Sequence, residues 1–185
     1  MSDALAGLDV MILCGGKGTR LVDWIGPVPK CLAPINGVPF LTLLVDRLKT
    51  FGARHFILCA GHLNEQVYEW VAKRPDRERF TVTINKDGPL QSAKQAMSNM
   101  RHHRAVILNG DTWIEGNLGI MVAACCGNGD YELKLHGKST GIYIVQKSSL
   151  ANDIFHPYAV EVLSQFSILD IGTPGDYAKA QELIR

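Results

Sequence analysis

The chain has 185 residues, of which 46% are hydrophobic, and its 19 basic and 18 acidic residues give a formal charge of +1. This length and apolar fraction suffice for a buried core, so an unfolded ground state is excluded. The near-neutral balance also excludes a nucleic-acid-binding module, since such modules carry a basic excess on one face. No apolar run approaches the roughly 20 residues needed to span a bilayer, so no membrane partner is expected.

The amino terminus and the cysteines predict a cytoplasmic protein. Residues 1–8 carry Asp3 and no basic region, unlike a secretory signal. The five cysteines form no C-x-x-C pair, and their scatter predicts neither a disulfide framework nor a zinc site. A reducing compartment is the simplest setting for such thiols. The adjacent Cys125 and Cys126 are interpreted as small residues at a helix end, with a redox pair as the alternative.

Short apolar runs alternate with helical patterns along the chain, which predicts strand-crossover-strand units. In chain order, the predicted elements are a strand at 9–14, a helix at 40–51, strand 55–60, helix 64–73, strand 80–85, helix 90–100, strand 105–108, helix 116–126, strands 131–135 and 142–145, and a helix at 173–185. No repeat or linker interrupts them. We therefore expect one domain over residues 1–185, an α/β fold of the Rossmann-like three-layer type with a mostly parallel central sheet.

A glycine-rich loop follows the first predicted strand, where residues 13–21 read L-C-G-G-K-G-T-R-L. Three glycines in four positions allow close approach of the backbone to a ligand, and consecutive amides in such a turn bind anions. The spacing is neither that of the P-loop nor that of the dinucleotide fingerprint. Arg20 and the later Lys30 add two cations that suit a triphosphate or a departing pyrophosphate. Lys17 adds charge or, as we favour, is a solvated loop lysine.

Two aspartates stand out in different ways. Asp111 follows the buried run 105–108, at the carboxyl end of a central strand where open α/β sheets bind their ligands. A plain Asn-Gly-Asp turn is the alternative at this position.

Asp176 lies three residues after Thr173, with Pro174 between them. That spacing resembles a capping box, so Asp176 is predicted to be structural.

The chain resembles the sugar-1-phosphate nucleotidyltransferase family. Members carry L-x-G-G-x-G-T-R-L and then P-K-x-x-x-P-I-x-x-x-P-x-L, and this sequence matches them at residues 13–21 and 29–41. The match continues at 109–112 and again at 169–177. Within the family, residues 14–47 and the N-G-D-T-W stretch look most like the heptose-1-phosphate and mannose-1-phosphate guanylyltransferase branch.

The resemblance implies transfer of a nucleoside monophosphate from a nucleoside triphosphate to a sugar 1-phosphate, with Mg²⁺ as cofactor and pyrophosphate as the second product. It implies catalytic roles for Arg20, Lys30 and Asp111. By the same resemblance, Lys30 and Gly141 bind the sugar phosphate, and Asp111 and Asp170 hold the metal. The implied nucleotide-binding residues are Leu13, Gly15, Gly16, Gly18, Thr19, Arg20, Gly88, Gln91 and Gly110. Assembly with further copies of the chain is left open.

Two departures from the family pattern leave the base and the acceptor open. The loop at 87–94 reads D-G-P-L-Q-S-A-K, which begins like the G-P-L-G-T-x-G-A loop of many members and has Gln91 where the thymidylyl branch has its glutamine. Members also place a longer segment, with a Glu-Lys-Pro piece, before the Gly-x-Tyr strand. We therefore expect a nucleotide-binding part at about 1–115 and a reduced sugar-binding part at about 116–185. Lys134 and Lys138 are candidate substitutes for the missing lysine, or face solvent.

Two alternatives to sugar nucleotidyl transfer follow from the reduced sugar side. A cytidylyltransferase for a small phosphate or phosphonate, such as choline phosphate, needs no large sugar lid. A catalytically inactive nucleotide-binding subunit with a regulatory role is the second, although it would not need both Asp111 and Asp170. The molybdopterin guanylyltransferases are similarly short, but the D-I-G-T-P stretch favours the sugar-linked branch over them.

Overall fold

The computed structural model describes residues 3–84, 88–125, 127–152, 154, 157–161 and 166–184. Its strands are β1 (Asp9–Cys14), β2 (Pro34–Ile35), β3 (Val38–Pro39), β4 (Phe56–Ala60), β5 (Phe80–Ile84), β6 (Arg104–Asn109), β7 (Thr112–Glu115), β8 (Tyr131–Leu135), β9 (Lys138–Gln146), β10 (Tyr158–Glu161) and β11 (Ser167–Asp170). Its helices are α1 (Val22–Ile25), α2 (Phe40–Thr50), α3 (Asn64–Ala72), α4 (Pro89–Ala96), α5 (Leu118–Ala123), α6 (Lys147–Ala151) and α7 (Pro174–Leu183). None of these helices has the length and apolar character needed to cross a bilayer.

Seven strands form the central sheet, in the order β10-β8-β9-β6-β1-β4-β5. β1 pairs in parallel with β4 and β6, and β4 pairs in parallel with β5. β9 runs antiparallel to β6 and β8, and β10 is parallel to β8. Six strands of this sheet thus share one direction, which confirms the predicted mostly parallel α/β fold.

Helices cover both faces of the sheet, as the alternation along β1 illustrates. Val10 and Ile12 belong to a buried cluster that includes Leu44 of α2, whereas Met11 packs in a second cluster with Ala93 of α4. Strands that are buried on both faces appear in the sequence as continuous apolar runs. The apolar runs of β1, β4 and β6 are therefore enough to locate these three strands.

A separate antiparallel sheet joins β7 to β11 and pairs Thr112 with Asp170. The amide of Ile171 also donates a 2.9 Å hydrogen bond to the carbonyl oxygen of Asp111. Both strands have four residues and the sequence did not predict either. Their pairing brings the two aspartates of the predicted metal site to the same end of the central sheet.

Some predicted element ends differ from the structure. The predicted helix 90–100 is the shorter α4 followed by a 3₁₀ turn at Met97–Asn99, and the predicted strand 142–145 is the end of the longer β9. Cys125 is buried next to α5, while Cys126 and Asn85, at two predicted element ends, lie outside the described residues.

Candidate active site

A cavity of about 870 Å³ lies at the carboxyl ends of three parallel strands of the central sheet. Its walls include residues 13–17 at the end of β1, residues 61–65 after β4, residues 109–111 at the end of β6, and Gly88 and Pro89 at the start of α4. This is the edge at which open α/β sheets bind their ligands, and the volume is typical of a small-molecule site.

The glycine-rich loop packs closely against Lys30 and Gly61. Gly18 has a φ of +63°, in the left-handed region that favours glycine, and a Cβ there would lie 3.5 Å from Cβ of Lys30. A Cβ at Gly15 would lie 3.9 Å from Cα of Gly61. The amide of Gly110 donates a 3.0 Å hydrogen bond to the carbonyl oxygen of Leu13. The loop is therefore joined directly to the segment that carries Asp111.

A second, smaller cavity of about 210 Å³ adjoins the first and is lined by several cationic side chains. Its lining includes residues 16–21, among them the predicted Gly18, Thr19 and Arg20, together with Lys30, Asp111 and Gly172. A Cβ on Gly172 would lie 3.9 Å from the guanidinium of Arg20. Three cationic side chains face one carboxylate here, a charge distribution that suits bound phosphate groups.

Lys30 and Asp111 form an ion pair in the wall that the two cavities share. A 3₁₀ turn at Lys30–Leu32 supplies the lysine, and the turn between β6 and β7 supplies the aspartate. Their side chains are only 15% and 23% exposed. Because water screens such a pair weakly, its charges act strongly on any phosphate that lies between the cavities.

Asp170 lies next to this pair but outside the lining of either cavity. Burial raises its pKa, the hydroxyl of Thr112 lowers it through a 2.5 Å hydrogen bond, and the negative charge of Asp111 raises it again, so the net pKa is above the ordinary value. The pairing of Thr112 with Asp170, and the hydrogen bond from the amide of Ile171 to the carbonyl oxygen of Asp111, hold the two aspartates side by side.

The donor set at this place matches the needs of Mg²⁺. That ion takes one or two carboxylates and completes its shell with water and phosphate oxygens. Asp111 and Asp170 supply two carboxylates, and no group of three or more such ligands exists among the residues that the structure describes. A divalent cation here would therefore complete its shell with water or, in the complex, with phosphate oxygens of a nucleotide.

Three other residues of the predicted site are less central. Gly88 lies in the lining of the larger cavity with a φ of +98°. Gln91 is exposed on the first turn of α4 and is not part of that lining. Gly141 of β9 is outside both linings and instead packs against the side chain of Asn109. Asp87, which begins the predicted base-binding loop, lies outside the described residues.

Three buried cysteines, Cys14, Cys31 and Cys59, line the larger cavity, although the sequence analysis named none of them as a site residue. Hydrogen bonding to Cys31 and burial raise the pKa of Cys14 well above its usual range, and burial raises the pKa of Cys59 to about 11. Both thiols are thus protonated at neutral pH and are poor nucleophiles. Their place in the cavity could have been predicted, because Cys14 and Cys59 lie near the carboxyl ends of β1 and β4.

The segment after β4 was also missed. Leu63 has a φ of +53° and lines the larger cavity together with Asn64, whose side-chain amide donates a 3.3 Å hydrogen bond to the carbonyl oxygen of Gly61. Across the cavity, the hydroxyl of Ser92 donates a 2.9 Å hydrogen bond to the carbonyl oxygen of Gly88. Residues 88–92 belong to the predicted loop 87–94, whereas residues 61–65 were missed although they follow a parallel strand at the binding edge.

The start of α7 has the predicted capping box. The hydroxyl oxygen of Thr173 accepts a hydrogen bond from the amide of Asp176, and the Asp176 carboxylate accepts one from the amide of Thr173. The structural role of Asp176 is thereby confirmed.

The hydroxyl of Tyr177 donates a 2.5 Å hydrogen bond to the carbonyl oxygen of Pro34. The helix that follows Asp170 is thus joined to the segment that follows Lys30.

Several solved structures share this fold. HddC from Yersinia pseudotuberculosis superposes with a TM-score of 0.81 at 22% identity, over 96% of this chain and all of that one. CTP:phosphocholine cytidylyltransferase from Streptococcus pneumoniae superposes with a TM-score of 0.70 at 16% identity, over 96% of this chain and 99% of that one. At such identities the likeness concerns the fold alone.

Sequence comparison agrees with the fold. The chain is 33% identical over 113 residues to the D-glycero-alpha-D-manno-heptose 1-phosphate guanylyltransferase of Campylobacter jejuni, which is 60% of this chain and 51% of that protein. It therefore spans about half the length of this relative. Residues 10–125 match the family model of the MobA-like NTP transferase domain. This segment includes the glycine-rich loop, Lys30 and Asp111. The chain belongs to the family of MobA-like NTP transferase domains.

Proposed function

We propose that the protein transfers a nucleoside monophosphate from a nucleoside triphosphate to the phosphate of a sugar 1-phosphate. An acceptor phosphate oxygen forms a new bond to the α-phosphorus. The bond from that phosphorus to the bridging oxygen breaks, and pyrophosphate leaves with the electron pair. The observation that carries this proposal is the Lys30–Asp111 ion pair in the wall between a nucleotide-sized cavity and a small cationic one.

The two cavities support a division of the triphosphate. The larger one has room for the nucleoside and the α-phosphate, and the smaller one offers Lys17, Arg20 and Lys30 to the β- and γ-phosphates. Lys30 lines both cavities, so its ammonium group can stabilise the negative charge that develops on the bridging oxygen as the bond breaks. Fixed charges aimed at developing charge are a large contribution to catalysis in sites of this kind.

Asp111 and Asp170 are the residues that would hold Mg²⁺. When bound there, the ion would neutralise phosphate charge as a Lewis acid. The chain's own contribution is to keep both carboxylates in place: Lys30 pairs with Asp111, and the hydroxyl of Thr112 donates to Asp170. The protonated thiols of the cavity lining favour direct transfer over a covalent enzyme intermediate.

The acceptor class rests on the relatives. A heptose or hexose 1-phosphate agrees with the name of the Campylobacter relative, although the chain spans only about half of it. A small acceptor such as choline phosphate is the second candidate. The pneumococcal phosphocholine cytidylyltransferase shares the fold, so a chain of this architecture can serve such an acceptor.

A pyrophosphate-release assay tests the proposal. The full chain is incubated with Mg²⁺ and with each of GTP, CTP, UTP, dTTP and ATP, against mannose 1-phosphate, glucose 1-phosphate, a heptose 1-phosphate and choline phosphate. We expect release with one triphosphate and one sugar 1-phosphate, and none without Mg²⁺. If choline phosphate were the one acceptor that gave release, the second candidate would replace the sugar 1-phosphate. Nucleotide binding without release for any pair would support the regulatory alternative instead.

A further inference from the structure

Arg47 of α2 fastens strand β7 to the body of the protein. Its Nε donates a 2.7 Å hydrogen bond to the carbonyl oxygen of Ile114, and one Nη donates a 2.8 Å bond to that of Gly116. The guanidinium carbon lies 5.2 Å from the ring centre of Trp113 and 5.6 Å from that of Phe51. One side chain thus holds the strand by two hydrogen bonds and a stacked ring.

Strand β7 is the link between the two candidate metal ligands. Asp111 immediately precedes the strand, and Thr112, its first residue, is hydrogen-bonded to Asp170. In the described part of the chain, β7 and β11 form a sheet of their own that is not paired with the seven-stranded one. Main-chain bonds of Gly110 and Ile171 hold Asp111 near the glycine-rich loop. The position of β7, and through it of Asp170, relative to Lys30 also depends on side-chain contacts such as those of Arg47.

We propose that Arg47 is a positioning residue, which acts through β7 to hold Asp111 and Asp170 in the geometry that binds a divalent cation. This inference rests on the proposed function of that site. The planar guanidinium reaches the carbonyl oxygens of Ile114 and Gly116 at the same time. A lysine ammonium is a single point of charge and cannot reproduce this fork together with the stacking on Trp113.

Arg74 provides a control, because its guanidinium also lies over a tryptophan and a phenylalanine ring and also donates hydrogen bonds, here to carboxylates. Its guanidinium carbon lies 4.6 Å from the ring centre of Trp70 and 5.1 Å from that of Phe80, and its Nε donates a 2.9 Å hydrogen bond to Asp76. None of these partners belongs to β7 or β11. A loss that is merely structural should therefore be similar for Arg47→Met and Arg74→Met.

The test measures binding of Mn²⁺ alone to the full chain by electron paramagnetic resonance, with melting temperatures recorded for every variant. We expect Arg47→Met to weaken Mn²⁺ binding by about 10- to 100-fold, the usual cost of losing an outer support of a metal site. Arg47→Lys should fall between Arg47→Met and the wild type. Arg74→Met should lower the melting temperature and leave the Mn²⁺ affinity unchanged. In turnover assays, excess Mg²⁺ should restore kcat in Arg47→Lys.

The outcomes separate this inference from the proposed function. Mn²⁺ binding by the wild type, with equal affinity in folded Arg47→Met or Arg47→Lys, would overturn the positioning role alone. An equal loss of affinity in Arg74→Met would also overturn it, since the effect would then be one of general stability. A wild type that does not bind Mn²⁺ would contradict the metal site of the proposed function itself.

Discussion

Thr112 donates a 2.5 Å hydrogen bond to Asp170, 58 residues further along the chain, across the two strands of a small antiparallel sheet. Thr112 is fully buried, and it directly follows Asp111. Strand pairing thus brings the second carboxylate to the first, and a single hydroxyl orients it. A conservative substitution of Thr112 can remove this hydrogen bond and leave the shape of the side chain unchanged.

Thr112→Val keeps the shape of the side chain and removes its hydroxyl. Burial holds the pKa of Asp170 above its ordinary value, and the Thr112 hydrogen bond opposes that effect, so the variant should raise the pKa further. Because metal binding needs the carboxylate, the acid limb of the kcat/KM profile should move to higher pH. Thr112→Ser retains the hydroxyl and should match the wild type. Superimposable acid limbs in the valine variant and the wild type would contradict the role of this bond.

Gly141→Ala tests whether β9 supports the larger cavity. Gly141 has a φ of +70°, and a Cβ there would collide with the side-chain amide of Asn109, which lines that cavity. Gly137 has a φ of +73° and no atom within 4 Å of the same position, so Gly137→Ala carries the backbone strain alone. The left-handed backbone should cost each alanine about 1–2 kcal/mol in the free energy of unfolding, and the collision with Asn109 should add to this cost in Gly141→Ala. Only Gly141→Ala should also raise the KM for the nucleotide, and equal KM values in the two variants would exclude a contribution of Asn109.

Asp9 and His55 form a buried pair at the opposite edge of the sheet, 2.6 Å apart between Oδ1 and Nδ1. Burial raises the pKa of Asp9, but hydrogen bonds from His55 and from the amide of His102 outweigh it, and the net pKa is lowered. The stabilisation is therefore present above the ordinary pKa and is lost as the pH falls through the lowered one, below about pH 4.

Asp9→Asn should reduce the free energy of unfolding at pH 7 by about 1.5–3 kcal/mol, the usual contribution of a hydrogen bond to a charged group. It should also flatten the loss of stability below about pH 4, as followed by urea unfolding at several pH values. Asp23→Asn removes an exposed carboxylate and serves as the control. An acid limb of unchanged steepness in Asp9→Asn would show that another group governs it.

The sequence predicted the parts of the fold that are buried on both sides. β1 has the predicted ends and α2 begins at the predicted residue, because a continuous apolar run defines the first and a regular apolar stripe the second. β8 also has the predicted ends, although polar residues alternate with apolar ones along it. β7 and β11 were missed for a physical reason. Each has four residues, and each is stabilised by a partner far away in the chain rather than by local propensity.

The candidate site shows the same contrast. The glycine-rich loop, Lys30 and Asp111 were predicted because their residue types and spacing carry the chemistry, and the structure brings them to one cavity wall. Arg47 and Thr112 carry no such signal. An arginine on an amphipathic helix and a threonine after an aspartate are common, and only tertiary structure reveals that they hold the two carboxylates.

Label transfer tests the central claim most directly. With the triphosphate and the acceptor identified by pyrophosphate release, α-labelled triphosphate should pass its label to the nucleotide sugar, and γ-labelled triphosphate should pass its label to pyrophosphate. Asp111→Asn should retain its circular dichroism spectrum and transfer label about 100-fold more slowly or worse, since several kcal/mol of charge stabilisation are lost. Label that stays in the triphosphate or appears in a free nucleoside monophosphate, or full transfer by Asp111→Asn, would contradict the account.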